Sequence, residues 1–252
     1  MDTAKVEQDA EAFIAKWVDA WPALALARLF ASPGEWPLLR GRVGSLFEIG
    51  EACWVLRDAT VREHKLAWWQ EDLTLHAQGQ ARHPLLAAAR DLHLPAHLAG
   101  QALVATRETA PANPSQALTR IVRMTANTVD APIAVACTKA MLVAMYLLAL
   151  REGQPSAFAQ APLDLRARHA VASAETGVAL AALVATLASS WRDELVLRYR
   201  SSPRSHWHGA RGLRVLHQQA LALIEALAAG RGVPTPGWRS AWSAWRAVAG
   251  LR

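Results

Sequence analysis

The sequence predicts an all-α fold in a single domain of about ten helices spanning residues 1–252, and three observations carry this prediction. Apolar residues recur at helical spacing along most of the chain, whereas the alternation typical of strands is nearly absent. Ala makes up roughly a fifth of the residues, and Ala with Leu favours helix over strand. The composition of 52% hydrophobic and 19% charged residues suits a sizeable core and excludes a disordered chain.

The helices are predicted in order from their start and stop signals. The first should cover residues 3–30, because its periodicity continues until Ser32-Pro33-Gly34 stops it. A second should start near Pro37, and a third should cover residues 60–78 with Gly79 as the residue that terminates it. Further helices are predicted from Pro84 and over residues 96–107, 115–128, 131–151, 162–199, 207–229 and 235–249.

One stretch is long and apolar enough to cross a bilayer. Residues 131–150 carry a single charge, Lys139, and Pro132 stands at their start. Lys139 lies near the middle of the stretch, where a charge is costly in lipid. We therefore predict a buried helix of a large α-domain.

Several features point to a bacterial cytoplasmic protein. The first eleven residues are polar and acidic, so a secretory signal is not expected. Two cysteines, Cys53 and Cys137, cannot form a disulfide framework and fit a reducing compartment. Arg outnumbers Lys, of which there are only four, and this bias is typical of a GC-rich genome.

The most specific pattern lies between residues 65 and 84. Leu66, Trp69 and Leu73 are spaced at i, i+3 and i+7, so they should share the buried face of one helix. Trp68 should lie on a different side and pack on a neighbour or at a rim. The full pattern is Lys65-Leu66-Ala67-Trp68-Trp69, Leu73, Gly79 and His83-Pro84.

This pattern resembles the signature segment of the squalene/phytoene synthase family. The order that follows is also similar, because Ala126-Asn127-Thr128 matches a small-residue turn and residues 172–203 match the helix that begins near a Gly, here Gly177. The resemblance covers residues 40–205. It implies the all-α isoprenoid-synthase fold, whose helices surround a deep apolar cavity.

The resemblance also shows what this chain lacks. Family enzymes join two prenyl diphosphates head to head, and paired carboxylates at i, i+4 on two facing helices hold the Mg²⁺ ions that bind the diphosphates. Residues 49–54 contain no aspartate pair, and only Glu48 and Glu51 lie close by. At the second position Ser189 replaces the first aspartate and Asp193 matches the last. The chain thus resembles a divergent member without either paired-aspartate motif.

Other arrangements of potential ligands are weak. Glu7 and Glu11 are the only acidic pair at i, i+4, and we expect them on a solvated helix face. His93 and His97 have the same spacing, but Pro95 interrupts the helix between them, so we predict no metal site. No cofactor is expected, except Mg²⁺ if the chain is an active enzyme.

The charge is concentrated at one end of the chain. Residues 1–190 carry 17 basic and 18 acidic side chains, whereas residues 191–252 carry 10 Arg and 3 acids, a net charge of +7. Arg192, Arg198 and Arg204 are the candidates for holding a diphosphate or another anion. The alternatives for this end are contact with anionic membrane or a solvated face, and nucleic acid is disfavoured as a partner because no recognition motif accompanies the charge.

The last predicted helix carries a tryptophan stripe. Trp238, Trp242 and Trp245 are spaced at i, i+4 and i+7, with Arg239 and Arg246 near its edges. Such a stripe is typical of a helix that caps a core, and less often of one that docks on a membrane.

Three functions compete. The first is a catalytically degenerate protein of this fold that binds an isoprenoid, a prenyl diphosphate or a protein partner. The second is an active head-to-head prenyltransferase, which would require Glu48 and Glu51 to face Asp193 across a cavity. The third is an interaction module that binds anionic lipid at the inner membrane face, or nucleic acid, through residues 191–252 with steep salt dependence.

Overall fold

The computed structural model describes residues 3–125, 132–175, 177–200, 210–233 and 237–249. Within these ranges the chain forms thirteen helices and no strand, which confirms the all-α prediction. The first seven are α1 (Thr3–Ala20), α2 (Pro22–Phe30), α3 (Glu35–Trp54), α4 (Ala59–Ala77), α5 (Pro84–Ala87), α6 (Leu98–Arg107) and α7 (Pro114–Arg123). The others are α8 (Pro132–Arg151), α9 (Pro155–Ala159), α10 (Leu163–Arg168), α11 (Val178–Arg200), α12 (Arg211–Ala228) and α13 (Trp238–Ala249).

Helix α8 is the central helix of the fold. It packs against α3, α7, α9, α11 and α12. It is long and apolar enough to cross a membrane, but 72% of its most apolar window is buried inside the protein. The stretch predicted as a buried helix is therefore part of the core, to which each of the thirteen helices contributes at least one buried side chain.

The long first helix of the sequence prediction is wrong, because the chain breaks between α1 and α2. Trp21 leaves the helical conformation, with φ −132° and ψ 89°, and Pro22 begins α2. Proline has no backbone N–H and disfavours helical geometry in the residue before it, so the break follows from Pro22. The break turns α2 away from α1 and opens a corner between them.

The single helix predicted over residues 162–199 is also wrong. The structure has α10 and α11 instead, separated by a stretch in which Ala170 adopts a positive φ of 53°. The N–H of Val171 bonds to the carbonyl of Arg166, which closes the end of α10. No Gly or Pro stands at this end, so the sequence carries no stop signal there. These two breaks and the additional short helix α9 account for thirteen helices instead of about ten.

Candidate functional site

The first part of the signature segment, residues 65–73, lies in α4, as predicted. Leu66, Trp69 and Leu73 are buried together, with exposed fractions of 0, 2 and 1%. Trp68 lies on a different side of α4, is 38% exposed, and packs edge-on against Trp69 at 5.3 Å between ring centroids. Gly79 follows α4 with φ of +73°, the left-handed conformation that favours Gly. The register predicted for α4 is confirmed.

Asp72, which the sequence reasoning missed, ties the following loop to α4. Its carboxylate is fully buried and accepts the backbone N–H groups of Arg82 at 2.8 Å and His83 at 3.1 Å. The Nδ1 atom of His83 in turn accepts the N–H of Leu85 at 3.2 Å and so caps α5, which begins at Pro84. The second half of the signature thus builds a corner of the fold.

His83 is packed between aromatic rings at this corner. Its ring lies 4.4 Å from Phe13, edge to face, and 4.8 Å from Trp69. Burial lowers the pKa of His83 to about 4, although the nearby Asp72 carboxylate acts in the opposite direction. The imidazole is therefore neutral at neutral pH, as its accepting Nδ1 requires.

Lys65, the first residue of the signature, serves a different purpose because it binds the remnant of the first acidic motif. Its Nζ lies 2.5 Å from Glu51 and 2.8 Å from Glu48. Glu48 also pairs with Lys16 and accepts the indole N–H of Trp17 at 3.0 Å. The two carboxylates and two ammonium groups form one network at the junction of α1, α3 and α4.

This network is ionised and internally neutralised. Burial acts to raise the pKa of Glu48, but the hydrogen bonds from Lys16 and Lys65 outweigh it and hold that pKa below its ordinary value. Burial acts to lower the pKa of Lys65, yet Glu48 and Glu51 raise it overall. Two lysines thus supply the positive charge that Mg²⁺ would supply in a metal site. Over the described ranges, no three His, Cys, Asp or Glu residues are grouped as metal ligands.

The second motif position, on α11, lies on an exposed surface. Ser189 is exposed, and the side chain of Asp193 is 69% exposed and pairs with its neighbour Arg192 at 2.9 Å. Between them Trp191 points into the core, where its indole N–H donates to the carbonyl of Pro114 at 2.9 Å. The polar side chains at this position therefore face solvent, while the core side of α11 is aromatic.

Part of the predicted anion-binding surface falls outside the described residues. This applies to Arg204 and to the side chain of Arg198. The turn expected at residues 126–128 also lies outside the described residues. Of the three arginines singled out, the structure describes the side chain of Arg192, which is 42% exposed and bonded to Asp193.

Aromatic side chains bridge α3 and α11. The ring of Tyr146 on α8 lies 5.7 Å from that of Trp54 on α3 and 5.7 Å from that of Trp191 on α11. All three are at most 2% exposed. The cavity left beside this column has a volume of about 10 Å³, which is the space of one water molecule. Packed rings thus join α3 to α11 near the two motif positions.

A larger cavity of about 410 Å³ lies at the corner opened by the α1–α2 break. It is bounded by the end of α1, the start of α2, and by α3, α8 and α12. Four aromatic residues, Trp17, Trp21, Phe47 and Trp54, line it. Phe47 stacks on Trp17 at 4.8 Å and meets Trp21 edge to face at 4.9 Å. The volume and the aromatic lining are those of a site for an apolar small molecule.

The polar groups of this cavity are few and acidic. Glu51 lies in its wall beside the lysine network, Glu152 contributes from just after α8, and Gln219 contributes from α12. Among the described residues that line it there is no Lys, Arg or His, and none belongs to α11. Glu51 and Asp193 therefore do not share this space.

Two solved structures share the architecture. A dehydrosqualene synthase in complex with ligand has a TM-score of 0.59 and 12% identity, with 98% of this chain and 97% of that chain covered. Squalene synthase HpnC from Alicyclobacillus acidocaldarius has a TM-score of 0.54 and 15% identity, with 88% and 94% covered. No family model matches the chain, and no curated protein matches it.

The chain has the squalene/phytoene synthase fold. The likeness extends over nearly its whole length, which confirms the resemblance first indicated by the signature segment. At 12–15% identity it establishes the fold, and the activity must be argued from the site itself.

One expectation within this squalene/phytoene synthase fold is wrong. Glu7 and Glu11 do not form a merely solvated face, since both bind the guanidinium of Arg40 on α3, at 2.5 and 2.6 Å. Arg40 has no exposed surface, and Glu11 also accepts the indole N–H of Trp36 at 2.5 Å. The spacing of the pair reflects a structural clamp between α1 and α3.

Of the cavity wall, only Glu51 and residues of the first motif position were predicted from the sequence. Trp17 at the end of α1 and Trp21 between α1 and α2 lie upstream of the resembling region, and the wall on α12 lies beyond it. The one available signal was two tryptophans a single turn apart, followed at once by Pro22.

Proposed function

We propose that this protein is a squalene/phytoene synthase-like binding protein that holds an uncharged isoprenoid chain and does not condense prenyl diphosphates. The 410 Å³ cavity carries this proposal, since its aromatic lining suits a branched, unsaturated hydrocarbon. Removing such a chain from water contributes about 0.8 kcal/mol per buried methylene.

The charges at the cavity favour an uncharged ligand over a diphosphate. Glu51 and Glu152 lie in its wall, and the ammonium group nearest to Glu51 is already paired with it. A diphosphate placed here would meet carboxylates without a basic residue, among the described lining residues, to offset its charge. A hydroxyl or another neutral head group can instead bond to Gln219 or to a glutamate.

The same arrangement argues against condensation chemistry. The reaction in this fold requires metal-bound carboxylates on two facing helices. Here Glu48 and Glu51 are held by lysines, and Asp193 is exposed on α11, none of whose described side chains lines the cavity. The packed rings of Trp54, Tyr146 and Trp191 join α3 to α11.

Ligand-dependent thermal stability tests the binding proposal. Farnesol at about a hundred times its Kd should stabilise the protein by about 2.7 kcal/mol, a rise in Tm of roughly 5–10 °C. Farnesyl diphosphate should give a smaller rise that Mg²⁺ does not increase. A rise with the diphosphate that exceeds that of farnesol and requires Mg²⁺ would instead favour the active enzyme.

Matched variants locate the ligand. Leu148→Trp projects a ring into the cavity wall and should abolish the farnesol shift, whereas Leu163→Trp on α10, at a residue 49% exposed, should retain it. Ala20→Trp fills the same cavity from an exposed position of α1, in case Leu148→Trp does not fold. An undiminished shift in both cavity variants would place the ligand elsewhere.

A product assay tests the absence of condensation. Incubation with farnesyl or geranylgeranyl diphosphate, Mg²⁺ and NADPH should yield neither squalene nor phytoene. Product formed over several turnovers and lost in Glu51→Gln or Asp193→Asn would overturn the proposal.

A further inference from the structure

The last helix presents two stacked tryptophans to solvent. Trp242 and Trp245 are 53 and 43% exposed, and their rings stack at 4.9 Å with planes 25° apart. Ala244, between them in sequence, is fully buried and holds α13 against the core. The expectation that this stripe caps the core is therefore wrong for these two residues, which form an outward aromatic face.

The stretch of chain that carries this face has charge of one sign. From Arg231 to the end of the chain there are four arginines and no acidic residue. Arg231 is exposed, and Arg246 lies in the last turn of α13, next to Trp245. Exposed indole rings beside arginines are typical of helices that lie in the interface of an anionic bilayer, where the rings enter the head-group layer and the arginines meet lipid phosphate.

Helix α13 lies beside two helices that line the cavity. Val233 lines the cavity, is 49% exposed, and precedes the start of α13 by only five residues. Helix α13 packs against α2 and α12, and both of these helices line the same cavity. Val55, also in the cavity wall, is 38% exposed and adds apolar surface to the mouth.

We propose that the Trp242–Trp245 face of α13 docks this protein on an anionic lipid bilayer, with the cavity mouth beside the docked surface. The bilayer is favoured over a protein partner because the face combines two outward rings with a run of arginines that contains no carboxylate. One consequence rests on the proposed function: an isoprenoid chain dissolved in the bilayer can enter the cavity without crossing water.

Vesicle flotation with the full chain tests the docking. Vesicles of phosphatidylcholine mixed with phosphatidylglycerol should bind the protein, vesicles of phosphatidylcholine alone should bind it weakly, and added salt should weaken the anionic binding. The double variant W242A/W245A should lower the affinity by at least about tenfold, because the interfacial burial of both rings is lost.

Control variants distinguish binding through this face from non-specific binding to vesicles. Trp68→Ala removes another partly exposed tryptophan and should leave flotation unchanged. R231E/R246E should weaken binding to anionic vesicles, whereas R90E/R168E, with the same change of charge at exposed arginines elsewhere, should retain most of it. Equal loss in R90E/R168E, or equal binding to neutral vesicles, would overturn the proposal.

Two further outcomes keep this proposal distinct from the proposed function. Leu148→Trp should still float with anionic vesicles, and W242A/W245A should still show the Tm shift with farnesol. The docking proposal alone is contradicted if the wild-type chain does not float with anionic vesicles at low salt. It is also contradicted if light scattering shows that the wild type is a dimer and that W242A/W245A is a monomer, because the face would then be a dimer interface.

Discussion

Helices α3 and α11 carry the two positions at which enzymes of the resembling family have acidic motifs, and the two positions differ in what occupies them. On α3, Glu48 is buried and bonded to Lys16, Lys65 and Trp17. On α11, Asp193 is exposed and bonded only to its neighbour Arg192 among the described contacts. The first position is a buried, hydrogen-bonded carboxylate and the second is an exposed one. The same substitution at the two positions should therefore change the stability of the protein by different amounts.

The difference bears on the Mg²⁺ site of the resembling family, which depends on both helices together. Carboxylates on one helix bind Mg²⁺ only if their charge is not already neutralised and if a second set faces them. Here Lys65 already neutralises the charge of the carboxylates on α3. The packed rings of Trp54, Tyr146 and Trp191 join α3 to α11 where a second set of carboxylates would have to face the first. The signature around Trp69 remains because it packs and caps helices, which does not depend on metal.

The largest expected effect is in the signature region on the α3 side. Trp69→Ala should lower the free energy of unfolding by about 3–5 kcal/mol, because it removes a large, 2% exposed side chain from the core. Trp68→Ala should cost less than about 1 kcal/mol, since that ring is 38% exposed. Urea unfolding of both variants measures the difference, and equal losses would contradict the register of α4.

The direct comparison of the two motif positions should give a smaller difference. Glu48→Gln should destabilise the protein by about 1.5–3 kcal/mol, because it removes charge-assisted hydrogen bonds at a buried site while both lysines can still reach water. Asp193→Asn should change stability by less than about 0.5 kcal/mol. Similar values from chemical denaturation would show that the two positions are equivalent after all.

The buried imidazole at the corner of α4 and α5 predicts a pH dependence. The pKa of His83 is about 4 in the folded protein, against an ordinary value of 6.5, so the unfolded chain binds more protons between these values. Stability should therefore fall as the pH drops from 6.5 to 4, with a slope of up to about 1.4 kcal/mol per pH unit from this residue.

His83→Asn isolates that contribution, because Asn can still cap α5 but does not titrate. Denaturation between pH 4 and 7 should show a shallower slope in the variant than in the wild type, whatever the difference in absolute stability. An unchanged slope would mean that His83 titrates normally in the fold.

The smallest effect is expected from rebuilding the second motif. Ser189→Asp restores an acidic pair at i, i+4 with Asp193, but both positions are exposed. Stability should change by less than about 0.5 kcal/mol, and Mg²⁺ should neither raise Tm nor allow condensation. A Mg²⁺-dependent rise in Tm would show that α11 can present carboxylates to a shared metal site.

Local signals predicted much of the fold. The start of α5 at Pro84, the end of α4 before Gly79 and the burial of Leu66, Trp69 and Leu73 all follow from spacing and from residue chemistry that acts within one or two turns. The break at Pro22 had its signal in the sequence, but the apolar periodicity concealed it. The end of α10 had no signal in the sequence, because Ala170, which lacks the conformational freedom of Gly, adopts the positive φ just after it.

The sequence by itself determined the all-α class, the loss of both aspartate pairs and the excess of positive charge near the chain's end, since each depends only on residue types and spacing. Only the tertiary structure decided that Lys16 and Lys65 meet Glu48, that Tyr146 joins two distant tryptophans, and that α1 and α12 wall one cavity. These contacts join residues on different helices, and their partners are chosen by how the helices pack. The spacing of side chains along any one helix does not contain that information.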